Sequence, residues 1–345
     1  MMTYREAIKE SMDLILKEVP DSAIYGLGVT DHIGIFDTTK DLEQKYGKDR
    51  VFETPISEDS MTGVALGLSL GGIYPVHIHI RADFLLLAMN QLINSIAKYR
   101  YMYGGLYEAP MLIRAVIGRS WGQGAQHSQS LQSLFAHIPG LTVIMPSSAK
   151  SILNSYEYVA KHYKNPVISF EHRLLYDYQF ENLEKEENPL SSKLLKEGSD
   201  ITVIATSIMN EEAIKASNFI DKNISLEIID IHNITDMDRE LILKSVRKTK
   251  KVIVLDTSWV SFGVCAEVSR IILEENIHLK MPIVNLGMEK ATCPTAKLLE
   301  NEFYTDLKDI VDSIYKLYYE KENHNKTLPS DEEVSYLHKH FRGPF

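Results

Sequence analysis

Short β-rich runs alternate with segments of helical apolar spacing along almost the whole chain, and that alternation most restricts the fold. Ala23-Ile24-Tyr25-Gly26, Tyr74-Pro75-Val76-His77-Ile78-His79-Ile80, residues 111–116 and residues 141–145 read as strands. Residues 3–18, 61–71 and 83–102 read as helices. Strands separated by helices pair in parallel, because the helix carries the chain back across a sheet face. The polar, proline-interrupted residues 179–198 read as a linker. Beyond it the alternation resumes, with strands at 200–205, 226–231 and 251–256 and helices at 210–220, 238–248 and 263–275. The expected fold is α/β: two consecutive three-layer domains with mainly parallel sheets. Their expected spans are 1–178 and 199–320. A polar extension, 321–345, contains a capping-box start at Ser330-Asp331-Glu332-Glu333.

Charge and composition exclude several classes. A formal charge of −10 with no basic arm or stripe argues against nucleic acid as a partner. Cys265 and Cys293 stand in no metal or redox spacing, in keeping with a reducing, cytoplasmic setting. No apolar run approaches the roughly 20 residues that span a bilayer. The start, Met-Met-Thr-Tyr-Arg-Glu-Ala, reads as neither a secretory signal nor a transit peptide.

Glu58 is the most informative single residue. It lies in Thr54-Pro55-Ile56-Ser57-Glu58, between the β-rich Arg50-Val51-Phe52-Glu53 and the glycine-rich apolar segment 63–72. A carboxylate at a strand-to-helix corner occupies the place where α/β proteins put chemistry. Taken alone it reads first as an acid that complements a helix dipole, and its surroundings reverse that reading. The sequence contains no Gly-x-x-x-x-Gly-Lys-Ser/Thr and no Gly-x-Gly-x-x-Gly, so a P-loop and a dinucleotide fingerprint are both missing.

The ordered set of short motifs around that corner is more specific than any one of them. It begins with Lys45-Tyr46-Gly47-Lys48-Asp49-Arg50-Val51-Phe52 and passes through Asp83-Phe84, Asn90-Gln91, Tyr99-Arg100-Tyr101 and Gly104-Gly105. It ends with His127-Ser128-Gln129-Ser130 and His137-Ile138-Pro139-Gly140-Leu141. In this order the chain resembles the β subunit of the thiamine diphosphate-dependent 2-oxo acid dehydrogenases, of pyruvate, branched-chain and acetoin types. The likeness runs from about Tyr25 to about Asp312. It implies a transketolase-like pyrimidine-binding domain followed by a transketolase C-terminal domain, whose glycine-headed helix matches Gly263-Val264-Cys265.

The resemblance also implies roles. Glu58 would be the acid on the cofactor's aminopyrimidine ring, Phe84 the aromatic stacked on that ring, and His127 the active-site histidine, with His137 structural. The family's Gly-Asp-Gly metal and diphosphate motif is missing here, and the chain contains no Asp-Gly pair. A partner α subunit is therefore expected to bring that half of the site and to hold most of the Mg2+ coordination, in an α2β2 assembly. β–β contact is expected through the C-terminal domain, and the resemblance admits K+ and a lipoyl acyltransferase partner.

Two departures bear on substrate. The family's acidic pair after the first strand is replaced by Leu27-Gly28-Val29, and its acidic strand before Phe84 by His77-Ile78-His79-Ile80-Arg81. If His77, His79 and Arg81 face the pocket, they form a basic site for an anionic substrate. The alternative puts the histidines on the other strand face and pairs Arg81 with Asp83. Three functions stay open: a 2-oxo acid decarboxylating subunit of dehydrogenase type, a two-subunit synthase of transketolase type, and a non-catalytic scaffold.

Overall fold

The computed structural model describes residues 1–118, 122–321 and 326–334. Two compact units emerge among the described residues: Met1–Ile117 with Leu134–Leu190, and Gly118–Ser133 with the described residues from Ser191 to Val334.

In the first unit the strands are β1 (Met2–Thr3), β2 (Ser22–Gly26), β3 (Val51–Glu53), β4 (Tyr74–His79), β5 (Met111–Ile117), β6 (Thr142–Ile144), β7 (Pro166–His172) and β8 (Gln179–Phe180). Six form one wholly parallel sheet in the order β3-β2-β4-β5-β7-β6. β1 and β8 make a separate two-residue antiparallel ladder. Every residue of β2, β4, β5, β6 and β7 is buried, which is the mark of a sheet covered on both faces. The helix Tyr4–Glu18 starts at a capping box between Thr3 and Glu6 and buries Ile8, Met12 and Ile15.

The second unit contains β9 (Lys193–Lys196), β10 (Ile201–Ala205), β11 (Leu226–Asp230), β12 (Val252–Trp259) and β13 (Val284–Met288). Their order is β13-β12-β10-β11-β9, parallel except for β9, which runs antiparallel to β11. The segment expected as a bare linker thus carries β8 and β9, each too short and polar to signal a strand. At the C-terminal end Ser330 and Glu333 do form reciprocal capping contacts, heading the turn Asp331–Val334. The remainder of the extension, 335–345, lies outside the described residues.

One buried element is less visible in sequence. β7 lies between β5 and β6, and Ser169, Glu171 and His172 interrupt its apolar residues. That carboxylate accepts hydrogen bonds from Arg114 Nε (2.5 Å) and Nη2 (2.9 Å) on β5, so a bidentate ion pair spans adjacent strands with neither side chain exposed. Tyr156 and Tyr176 donate to the same carboxylate, at 2.5 and 2.7 Å. Burial and the Glu171 charge drive both tyrosines well above their ordinary range. For Arg114 burial favours the neutral form, but Glu171 outweighs it and moves the guanidinium up. Removing one partner strands a buried charge, at a cost of roughly 3–5 kcal/mol. Arg114→Met should lower the urea unfolding midpoint by that equivalent, and Arg114→Met with Glu171→Gln should recover part of it.

Candidate active site

The helix after β3 begins earlier than its apolar pattern indicates, at Glu58 rather than Met61, and runs to Leu70. Glu58 is therefore the first helical residue, half-buried, where unpaired backbone N–H groups and the helix dipole favour a carboxylate. Its glycines do not all serve close packing: Gly63 lies against Gln91, whereas nothing stands within 4 Å of a Cβ built on Gly67. On the neighbouring strand, β4 ends at His79 and a helical run from Ala82 follows. That run reaches Met102 with a 3-10 step at Leu86–Ala88 and a π turn at Gln91–Ile96, so the expected single helix is three kinds of helix in sequence.

Glu58, Phe84, His77, His79 and Arg81 all line one cleft of about 200 Å³ at the carboxyl ends of β2, β3 and β4. Leu27, standing where an acid was expected, lines it too. Phe84 is 39% exposed, an aromatic face turned outward beside a carboxylate. Ile78 and Ile80 also reach the cleft, so strict alternation does not partition this segment; the strand ends at His79 and the chain turns.

The two histidines are not cations. His77 stacks on Tyr25 at 4.7 Å, and Tyr25 on Phe52 at 5.1 Å, an aromatic ladder across three register-paired strands. His79 tilts against His77 at 4.3 Å. Burial is the main cause that pulls both below the ordinary imidazole range, His79 to about 4; for His77 the His79 charge adds to it. Both are neutral near pH 7, so the positive character of this cleft rests on Arg81. His77 Nδ1 approaches Thr62 Oγ1 at 3.4 Å, while the buried His79 Nε2 has no hydrogen-bond partner among the described residues. A polar ring atom in the cleft would satisfy it.

His127 belongs to the second unit. Of the residues just before it, Arg119, Ser120 and Trp121 lie outside the described residues. Gly122 and Gly124 have φ of +67° and +66°, and a Cβ at Gly124 would come within 2.6 Å of Thr295 Oγ1. Further along, Ser258 Oγ donates to Ser130 O at 2.9 Å, and Gln132 Nε2 donates to Asp256 Oδ1 at 2.9 Å. His127, half-buried, is thus held on a loop stitched to β12. His137, expected to pack before the Pro139-Gly140 turn, is exposed instead; the turn is anchored by Gly140, whose φ is +99° and whose Cβ would overlap Ala97 O.

Comparison with known proteins gives the family. The family pattern "Transketolase, pyrimidine binding domain" matches residues 1–179, and "Transketolase, C-terminal domain" matches residues 191–310. Pyruvate dehydrogenase E1 component subunit beta of Rickettsia conorii is 31% identical over 325 residues, covering 92% of this chain and 98% of that one. The mitochondrial subunit beta of Bos taurus is 33% identical over 327 residues, covering 91% and 90%. The chain belongs to the family of pyruvate dehydrogenase E1 beta subunits. Among solved structures, a split-gene transketolase described as an inactive beta4 tetramer superposes with a TM-score of 0.75 at 24% identity, covering 92% of this chain and 98% of that one. Transketolase from Leishmania mexicana superposes at 0.70 with 13% identity, covering 94% and 47%. Both share the fold.

Within this E1 beta scaffold Tyr25 is a cleft-supporting residue that motif reading passed over; its only signal was an aromatic in a short strand. The neutral histidines have a measurable consequence. Their folded-state proton affinity lies below that of the unfolded chain, near pH 6.5. As pH falls through 6.5 the unfolded chain takes up protons first, so stability is complete above that value and declines toward about pH 4, where His79 itself titrates. His232 of the second unit, also buried and lowered mainly by desolvation, adds with the same sign. Urea midpoints should fall across this window by roughly 1.4 kcal/mol per pH unit per histidine, and His79→Gln should remove its share of the slope.

Proposed function

We propose that this chain is the β-type subunit of a two-subunit, thiamine diphosphate-dependent enzyme that decarboxylates a 2-oxo acid, of dehydrogenase type. The observation that carries the reading is one cleft in which a helix-terminal carboxylate, an outward aromatic face and an unsatisfied histidine nitrogen converge. These groups suit a flat, nitrogen-bearing ring. The cleft volume of about 200 Å³ is below the roughly 300–1,000 Å³ of complete small-molecule sites, as befits half a cofactor site. Among the described residues no three His, Cys, Asp or Glu side chains gather as a metal site. With Gly-Asp-Gly absent as well, Mg2+ and the diphosphate fall to a partner α subunit, in an α2β2 assembly.

When bound, thiamine diphosphate supplies the nucleophilic carbon that attacks the 2-oxo group and holds the electron pair left by CO2. Glu58 would hydrogen-bond the pyrimidine nitrogen and exchange a proton with it through one carboxylate oxygen. Phe84 would cover the ring face and exclude water from it. His79 Nε2 offers a neutral partner to a polar ring or substrate atom, and the Tyr25–His77 stack holds the imidazoles in place. The family resemblance gives His127 the exchange of protons with substrate oxygen. No described helix is long and apolar enough to cross a membrane, and the reading places the enzyme in the cytoplasm, with a lipoyl-bearing acyltransferase as acceptor.

A synthase of transketolase type is the second reading, favoured by Leu27 lining the cleft where the dehydrogenase pattern has an acid. Turnover of 2-oxo acids with a lipoyl acceptor, compared with turnover in the presence of aldehydes, separates the two.

Glu58→Gln, in the complex with the α partner, should reduce turnover by about 10²–10⁴-fold while shifting stability by less than about 1 kcal/mol. Retention of a tenth of wild-type activity would remove Glu58 from the proposed role. The chain alone, titrated calorimetrically with thiamine diphosphate and Mg2+, should bind at least a hundredfold more weakly than the complex, about 2.7 kcal/mol. Tight binding without a partner would contradict the split site.

A further inference from the structure

We propose that Arg81, backed by Arg173, makes this cleft selective for substrates bearing a second anionic group, a carboxylate or phosphate remote from the reacting 2-oxo carbon. The proposal rests on the reading of the cleft as a thiamine diphosphate half-site and names the substrate class that site takes.

Arg81 lines the cleft with Glu58 and Phe84 and is 6% exposed. Arg173, only 2% exposed, follows β7 directly. Register places both at one edge of the sheet: His79 on β4 pairs with Ala115 on β5, and Ile117 on β5 pairs with His172 on β7. The two guanidinium stems therefore leave the carboxyl ends of strands separated by one intervening strand, about 10 Å across, which is where ligands of parallel sheets bind.

The two charges act on each other. Burial first, and then the Arg81 charge, press Arg173 downward from the ordinary arginine range, with Tyr176 opposing. A guanidinium nevertheless keeps its proton, so both remain cations and their repulsion persists. An anion beside Arg81 offsets that repulsion, and Arg173 in turn favours an Arg81 fork displaced toward the cleft. Five N–H donors let one edge of a guanidinium be braced by protein while the other meets a ligand.

A third element fixes Arg173. Its Cζ lies 4.9 Å from the centre of the Phe36 ring. Phe36 stands in an unbroken left-handed run, with φ of +44° at Gly34, +26° at Ile35, +57° at Phe36 and +68° at Asp37. Non-glycine residues held in this region cost about 1–3 kcal/mol each, and such strain gathers where a site needs a group placed. Thr38, at the end of the run, accepts a hydrogen bond from Arg114 Nη2 at 3.2 Å, and Phe36 meets Tyr176 edge-on at 5.7 Å. The buried ion pair thereby anchors the loop that sets Arg173. No carboxylate opposes an anion at position 27, where Leu27 lines the wall.

The test is calorimetric binding to the complex with its α partner, which does not depend on turnover. The probes are 2-oxoglutarate, its phosphonate counterpart and 2-oxopentanoate, which has the same chain length without the second charge. Wild type should bind at least one dianion tenfold or more tighter than 2-oxopentanoate; which of the two is tighter identifies carboxylate or phosphate as the preferred group. Arg81→Met should abolish the preference, a loss of about 10–100-fold for the dianion. Arg81→Lys should keep part of it, and Arg173→Met should reduce it about threefold to tenfold. Thiamine diphosphate affinity should stay within about twofold in all three variants. Equal binding of dianion and 2-oxopentanoate by wild type, or equal weakening of both by Arg81→Met, would overturn the proposal. Failure to bind thiamine diphosphate at all would instead overturn the cofactor reading, with the preference among the probes still decided.

Discussion

The Arg114–Glu171 pair is the interaction on which the first unit's upper edge depends. Two charges withdrawn from water are costly, and bidentate geometry with further hydrogen bonds to the carboxylate makes the arrangement tolerable, even though Arg114 Nη1 has no hydrogen-bond partner among the described residues. Here Tyr156 from the helix Ala149–Lys161, Tyr176 beyond β7 and Thr38 from the left-handed loop all hydrogen-bond to the pair. Tyr4 stacks on Tyr176 at 5.9 Å and donates to Pro146 O, which brings the N-terminal helix into the same network. One polar cluster thus sets the relative positions of five segments that an apolar core would leave freer to slide. The segments it positions include those that flank the cleft.

Beside that cluster the cleft itself is organised by stacking rather than charge. Phe52, Tyr25 and His77 are neighbours across β3, β2 and β4, so their rings overlap because parallel pairing places register partners side by side. Burial under the helix Glu58–Leu70 keeps the imidazoles neutral, which turns them from cations into hydrogen-bonding groups. Glu58 and Arg81 are left as the groups whose charge a ligand would meet. In the proposed reading these two groups would divide the work, the Glu58 carboxylate toward the cofactor ring and the Arg81 guanidinium toward the substrate's far end.

In the second unit Asp256 has the comparable organising part. It accepts from Gln132, Thr206 and the backbone N–H groups of Thr257 and Val264, so the head of the helix Val264–Glu274 and the start of the short helix Gln132–Ala136 after the His127 loop share one carboxylate. Burial raises its pKa while those hydrogen bonds oppose the rise. Gly263 is required there, since a Cβ would stand 2.7 Å from Trp259 O. The glycine-headed helix noted in the sequence is thus the consequence of a backbone approach that no side chain could share.

Local pattern determined the class of this protein. Alternating strand and helix periods specify parallel sheets because they reflect backbone geometry and one-dimensional burial, both of which neighbours in sequence encode. The corner holding Glu58 and the ordered motifs around it were legible for the same reason, as was the family. Tertiary structure alone decided which polar residues are buried together. Arg114 and Glu171 are 57 residues apart and each, alone, reads as a blemish in an apolar strand. Pairing across β5 and β7 makes them one group. The charge state of His77 and His79 likewise follows from a helix laid over them, and Arg173 gains meaning only beside Arg81. Desolvation and the company of distant charges are three-dimensional quantities, and no period in the sequence carries them.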